Sequence, residues 1–434
     1  MGERVPTPPA APSTGYANYV LGVLFLVYVL NFVDRQAMAV FLGPIKEEFQ
    51  ASDAAMGFLV GFAFALLYTV AGIPIARLAD RGNRRNIIAL GLALWSSMTA
   101  LTGFARNFAH LVAARVGVGI GEAACTPPAH SLIADYFPVE RRGTALAIYS
   151  SAVFVGSALA YLGGGYLREH FDWRTGFIVL GLPGLLVAVL LRATVREPVR
   201  GQSEARTAGG DASLAETLRH LVSSRAWVWL MAGASCMAVT GYAVLMWAYE
   251  FFGRLHGLAP LAVGQWMALI VGVGGFLGTL LGGRLVDRMA RRRPGQMVRV
   301  PGLWVLAGLP FGVVFVLAES TAVALAAMFP FYLLLQVYIP AMYTANQNLA
   351  RLEMRATASA ICLFIINIVG AGFGPFLVGA LSDFFALPSG AEGLRYAMLV
   401  TVAIGAVGCA LFAATARTLA ADLARAGAIQ ARGD

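Results

Sequence analysis

Four residues of this chain carry charge where charge is costly: Asp34 and Arg35 lie in one long apolar stretch, Arg115 and Glu122 in another. Even the lower estimates put a charged side chain at a bilayer centre at about +2.5 to +3.5 kcal/mol, so a sequence that keeps such residues turns them toward partners or water. Two acids and two bases balance to zero. An acid taken out of water binds a proton more readily, and one that meets a guanidinium releases it. Such a cluster suits the uptake and release of protons, and its guanidinium groups can hold a phosphate or a carboxylate. A static ion-pair network that only ties helices together is the other reading of the same residues.

Helical geometry sorts them further. Asn31 and Asp34, three apart, share a face, with Arg35 turned about 100° away, and Arg115 and Glu122, seven apart, lie on one stripe. Asp34 and Glu122 are the expected proton acceptors. Glu122 is the less ambiguous, because no basic residue adjoins it in sequence. Asn31, Arg35 and Arg115 form the expected charge network or head-group site. Thr126, Tyr242, Trp247, Tyr249, Gln336, Tyr338, Asn346 and Asn367 are expected to line a cavity with amphipathic walls. Interhelical packing and hydrogen bonding is the plainer role for each of these singly. Glu250, closing the seventh apolar segment, is expected in a solvated interfacial position.

The elements that hold these residues follow from composition. With a mean hydropathy of +0.72, 59% hydrophobic and 13% charged residues, the chain lies far from soluble domains, of which roughly a quarter is charged. Stretches long enough to cross ~30 Å of hydrocarbon fall at 17–42, 54–76, 86–105, 108–134, 143–167 and 174–192, then at 226–251, 259–283, 298–318, 321–348, 356–381 and 394–416. All are predicted helices, since a lone strand would leave its backbone unpaired in lipid. The expected fold is an all-α membrane protein of twelve transmembrane helices in two six-helix bundles. Its parts are a tail at 1–16, bundles at 17–192 and 226–416, a linker at 193–225 and a tail at 417–434. Leu214, Leu218 and Leu221 are spaced for a short amphipathic helix on the membrane surface.

Arg77-Leu78-Ala79-Asp80-Arg81 returns 207 positions later as Arg284-Leu285-Val286-Asp287-Arg288, and Glu140 to Ala145 is echoed by Glu353 to Ala358. A repeat near half the chain length is the period of two similar halves about a shared axis. Of 32 Lys and Arg residues, only Lys46, Arg106, Arg168, Arg174, Arg254 and Arg395 fall in loops on one side. The positive-inside rule therefore puts both tails and the linker in the cytoplasm. The polar, Pro-rich start lacks the marks of a cleaved leader, so the first apolar segment is expected to stay.

Several functions lose ground. The net charge of +9 follows the membrane topology rather than forming a nucleic-acid groove. The glycine runs at 117–121 and 163–165 precede no Lys-Ser/Thr, so no nucleotide loop is read. Cys125, Cys236, Cys362 and Cys409 are scattered singly and read as packing residues, with no metal, no cofactor and no enzyme chemistry expected.

With these residues assembled, the chain resembles the major facilitator superfamily over nearly its whole length. Gly72 to Arg85 looks like that family's loop motif, Gly283 to Arg288 like its second copy, and Arg115, Gly119 and Gly121 like its fourth-helix pattern. Asn31 to Arg35, Asp80 to Arg84 and Val118 to Ala123 resemble the spinster branch, whose members are implicated in moving sphingosine phosphate and lysophospholipids. The resemblance implies proton coupling at Asp34 and Glu122, and a role for Arg35 and Arg115 in the network or in head-group binding. It also implies a cytoplasmic latch of Asp80, Arg81 and Arg85, mirrored by Asp287 and Arg288. Ala76 and Ala124-Cys125 depart from the family pattern, the latter weakening any transfer of lipid specificity. The expected function is a proton-driven, alternating-access transporter of a small amphipathic substrate. It would act as a monomer among the lipids of a bacterial-type inner membrane. An organic-anion symporter, a multidrug exporter and, outside transport, a receptor are the alternatives.

Overall fold

Several helices begin at a side chain that caps them. Ser52, Asn83, Asn107, Asp172 and Ser224 each accept a first-turn backbone N–H, fixing the starts of five helices. The computed structural model describes residues 13–198, 213–290, 294–386 and 391–430. Most of the N-terminal tail, the middle of the linker and the last residues lie outside that range.

Twelve membrane helices run in sequence. TM1 is Thr14–Phe49, TM2 is Asp53–Val60 continued by Phe62–Arg81, TM3 is Arg84–Thr102, and TM4 is Phe108–Glu122 continued by Thr126–Tyr136. TM5 is Val139–His170 and TM6 is Trp173–Thr194. In the second half TM7 is Arg225–His256, TM8 runs from Pro260 to Ala290, TM9 is Gln296–Leu317 and TM10 is Thr321–Leu335 continued by Tyr338–Leu349. TM11 runs from Arg355 to Phe384, and TM12 is Ala391–Gln430. Among the described residues, 11 helices meet the length and hydropathy of a membrane span. TM3 falls short because Arg84, Arg85, Asn86, Ser96, Ser97 and Thr99 dilute its 19 residues, yet it packs against TM4 and TM6 as a full member of the bundle.

TM1 to TM6 form one bundle and TM7 to TM12 the other, with TM1 on TM5, TM3 on TM6, TM7 on TM12 and TM9 on TM10. The start of TM1, the end of TM12 and the linker helix Leu214–Ser223 share one face of the molecule, called here the linker face; the opposite one is the far face. Between bundles, the first segment of TM2 packs on the last segment of TM11, TM5 on the first half of TM8, and TM1 on TM7. All of these seams are at or beyond mid-depth toward the far face. A Cβ on Gly57 would stand 2.9 Å from Phe376 Cα, and one on Gly264 3.2 Å from Gly165 Cα, so both seams depend on glycine for backbone approach. The linker-side segments of TM4 and TM10 pack within their own bundles. The halves thus meet at the far face and part toward the linker face.

TM8 and TM11 widen into π-helical turns at Ala268–Gly274 and Ile366–Phe373. Under the 207-residue repeat visible in the sequence, the TM8 turn begins opposite Gly61, where TM2 itself breaks. Both copies of that helix therefore bend at the same depth, beside the seam.

The linker carries a helix at Leu214–Ser223, and the three leucines read as one stripe divide: Leu221 is buried against the protein while Leu214 and Leu218 are exposed beside Val222. Cys125, Cys362 and Cys409 are buried and unoxidised, and Cys236 is partly buried.

Candidate functional site

TM1 and TM4 cross at the middle of the first bundle and bring the four charges together. Arg35 donates from Nε and Nη2 to Glu122 Oε2, at 3.1 and 2.7 Å. Its Nη2 also reaches Asn31 Oδ1 at 3.5 Å. Arg115 donates from Nη2 to the Arg35 carbonyl at 3.2 Å, across from TM4 to TM1. Phe64 of TM2 stands between the two guanidinium groups, its ring centre 4.7 Å from Arg35 and 4.8 Å from Arg115. Phe32 and Tyr68 face Arg35 as well, at 4.9 and 5.1 Å, an arrangement that attracts a desolvated cation.

This pairing corrects the helical-face argument. Asn31 acts with Arg35, its neighbour one turn on, while Asp34 turns instead to Trp95 and Thr99 of TM3. All four charges are nonetheless buried: Asp34 is 3% exposed, Arg35 8%, Arg115 3% and Glu122 1%. Arg35 is the member nearest the surface, with Glu122 behind it. Among the described residues, Asn31 Nδ2, Asp34 Oδ1, Arg115 Nε and Glu122 Oε1 have no hydrogen-bond partner.

The second shelf of the site is aromatic. Tyr28 of TM1 stacks on Tyr149 of TM5, with centroids 4.5 Å apart and planes 2° from parallel. His130 meets the same Tyr149 ring edge-on at 5.4 Å, and Thr126 is half-buried beside both tyrosines. Across the cleft, Tyr242 and Gln336 are half-buried, and Asn367, in the π-helical turn of TM11, spends its amide on the Leu363 carbonyl at 2.8 Å.

Four candidate lining residues are not lining. Trp247 is buried with its indole N–H on the Pro375 carbonyl at 2.9 Å, joining TM7 to TM11. Asn346 accepts the Trp227 indole N–H at 2.9 Å and is fully buried. Tyr338 packs on Phe412 of TM12. The Trp247 indole N–H and the Asn346 Oδ1 both find their partners inside the second bundle. Tyr249 likewise donates to the Pro260 carbonyl at 2.7 Å.

Glu250 is the clearest departure. It is 3% exposed and accepts from Arg168 Nη1 at 2.6 Å, from Arg254 Nε at 3.1 Å and from the Gly43 N–H at 3.0 Å. Arg254 goes on to Asp53 at 2.9 and 3.0 Å, which also takes Lys46 at 2.6 Å and the Ser382 hydroxyl at 2.7 Å. Arg168 and Arg254, counted from sequence as loop charges, thus bind across the two bundles at the far face, while Lys46 joins TM1 to TM2 within the first.

At the linker face the first repeat of the latch motif gives only its backbone at Asp80, and Arg81, Asp287 and Arg288 are exposed. None of these three forms an ion pair with another described side chain. Arg85 is held inside the first bundle, with Nη1 on the Val195 carbonyl at 3.1 Å. Its neighbour Arg84, which the sequence reading passed over, is buried and binds Asp135 at 2.5 Å, Glu197 at 2.7 Å and the Ser131 hydroxyl at 2.8 Å, tying TM3 to TM4 and to the end of TM6.

Two bundles closed at one face, parted at the other, with ionised groups at mid-depth between helices, make up the architecture of a membrane transporter. The chain belongs to the Major Facilitator Superfamily, whose profile matches residues 24–375. It is 37% identical over 387 residues to an MFS-type efflux pump of Mycolicibacterium smegmatis, covering 88% of each chain. To Protein spinster of Drosophila melanogaster it is 29% identical over 84% of this chain and 62% of that one. A bacterial homolog of the human lysosomal transporter Spinster, solved in an inward-facing and unoccupied conformation, superposes with a TM-score of 0.87 at 33% identity, covering 95% of this chain and 99% of that one. The chain is a multi-pass membrane transporter of the spinster type, not an enzyme.

Proposed function

We propose that this transporter couples proton movement to the passage of an amphipathic substrate with an anionic head, such as a lysophospholipid or a sphingoid phosphate. The observation that carries the reading is the buried Arg35–Glu122 pair, with Arg35 toward the surface and Glu122 behind it. A guanidinium pairs with one anion at a time in that geometry. When a phosphate or carboxylate head takes Arg35, Glu122 is left buried and unpaired, a state relieved by a proton. Release reverses the exchange. Asp34, near Arg115 but not bonded to it, offers a second acceptor for the proton. The stacked tyrosines beside the pair provide an apolar shelf for the body of the substrate.

The positive-inside rule makes the linker face cytoplasmic, so the described state is open to the cytoplasm and both tails lie there. The protein would work as a monomer in a bacterial-type inner membrane, with the proton gradient as its driving force and no cofactor. The name of the Mycolicibacterium relative, an efflux pump, favours a second reading, multidrug efflux. Reconstitution into liposomes with an imposed pH gradient and a panel of lysolipids, sphingoid phosphates, organic acids and dyes separates the two. Transport of the phosphate-headed lipids with no net proton flux would overturn the coupling.

The exposed, unpaired Arg81, Asp287 and Arg288 fit a latch released while the linker face is open. Carboxylates and arginines at helix ends make contacts weak enough to be remade in each cycle. Replacing Asp80 by Asn should therefore shift the population further from the outward-facing form, by about five-fold for the loss of ~1 kcal/mol. Thiol-probe accessibility of a single cysteine in the linker-side cleft reads this directly, and unchanged labelling would remove Asp80 from the latch.

A further inference from the structure

The far face holds two acids whose partners lie in the other bundle. At the end of TM11, Asp383 accepts the backbone N–H groups of Asp53 and Ala54, at 3.0 and 2.8 Å, and so caps the start of TM2. At the end of TM5, Glu169 accepts the N–H of Leu261 at 2.8 Å and caps the start of TM8. TM2 and TM8 are related by the internal repeat: 207 residues separate Ala54 from Leu261, and the same separation joins Gly43 to Glu250, which touch. The pseudo-twofold axis therefore passes between TM1 and TM7 at this face, with one cap on either side of it.

An ordinary cap is supplied from just before its own helix, as Asp172 supplies TM6 through Thr175 N–H at 2.7 Å. These two come from the opposite bundle. Rocking the bundles apart at the far face removes both cross-bundle acceptors at once, leaving TM2 with its own Ser52 alone, and it also breaks Glu250 from Arg168 and Asp53 from Arg254.

We infer that Glu169 and Asp383 are a reciprocal pair of cross-bundle helix caps that, with the Glu250 and Asp53 ion pairs between them, form the far-face gate and hold the transporter in its linker-open state. Gly43 leaves the room this requires, since a Cβ there would stand 2.7 Å from both Glu250 carboxylate oxygens and 2.9 Å from Arg168 Nη2. Both capping acids are exposed and neither stabilises its own bundle, so their loss leaves the bundles folded. The gate requires neither substrate nor proton, and it stands or falls apart from the proposed coupling.

Spin labels at Arg106 and Glu319, in exposed far-face loops of the two bundles, measure the opening in a background with the four native cysteines replaced. A second pair at Arg141 and Glu353 reports the linker face. In the double variant Glu169→Ala, Asp383→Ala, which removes both acceptors, the far-face distance should lengthen and the linker-face distance shorten. The ratio of outward-open to linker-open molecules should rise about 25-fold, each cap contributing a factor of about five. Gly43→Ala, which displaces the Glu250 carboxylate, should move both distances the same way. Asp172→Ala removes a cap inside one bundle on the same face and should move neither. Distances in the double variant that match the wild type, or a shift of equal size from Asp172→Ala, would overturn the assignment.

Discussion

Proteoliposomes carrying Glu122→Gln should fail to accumulate substrate under a pH gradient, with the proton-driven rate down about 100-fold or more, the scale of losing a group that handles the proton in each turnover. Glutamine keeps the shape of the side chain and can still accept from Arg35 Nη2, so the helix crossing built on the 2.7 Å contact persists. What it cannot do is change charge. Under the proposed coupling, acidifying the side to which the cleft opens protonates Glu122 and frees Arg35 for an anion, so wild-type exchange across the membrane should depend on pH on that side. In the variant Arg35 faces a neutral amide at every pH, and substrate counterflow without a gradient should become flat between pH 5 and 8. Binding of the anionic head should persist or tighten, because the competing carboxylate is gone. Retained proton-driven accumulation in the variant would exclude Glu122 from the coupling and leave Asp34 as the acid to test.

Much of this arrangement was legible before any coordinates, for a physical reason. Lipid makes ionised residues so costly that their presence inside an apolar run is itself a signal, and Asp34, Arg35, Arg115 and Glu122 were found by that cost alone. The span lengths and the repeat fixed the two-bundle fold in the same way. Pairing was not legible. Helical phase gives the direction of a Cβ but not the neighbour it meets, and Arg35, read as turned away from the acids of its own helix, crosses to TM4 because Glu122 is there. Glu250 was misjudged because its partners Gly43 and Arg168 lie 207 and 82 residues away, beyond the reach of any local pattern. Trp247 and Asn346 failed for a related reason: an amphipathic side chain looks the same in sequence whether its polar tip meets a cavity or, as here, the Pro375 carbonyl and the Trp227 indole. The aromatic surround of Arg35 did leave a trace, since Phe64 and Tyr68 are one turn apart on TM2, but in a chain this rich in apolar residues such a spacing carries little weight.

Removing the other half of the pair gives a different and larger structural effect. In Arg35→Gln the Glu122 carboxylate is left buried, with its neighbouring aromatic rings unable to stabilise a negative charge, and stranding one partner of a buried pair costs about 3 to 5 kcal/mol. The single variant should therefore unfold at a clearly lower temperature than wild type in detergent near pH 8. The double variant Arg35→Gln, Glu122→Gln should recover most of that loss, because two neutral amides replace the unpaired charge and can bond to one another. The sign with pH separates this from a mere packing defect. A protonated Glu122 is neutral and needs no cation, so the deficit of Arg35→Gln shrinks as pH falls and grows as it rises, while the double variant shows no such slope. Equal melting of single and double variants at every pH would mean that Glu122 does not depend on Arg35 for its charge, and the exchange of anions on that guanidinium would lose its basis. Transport should fail in both variants, since neither retains Arg35, the guanidinium nearest the surface, to take the anionic head, and Arg115 lies deeper.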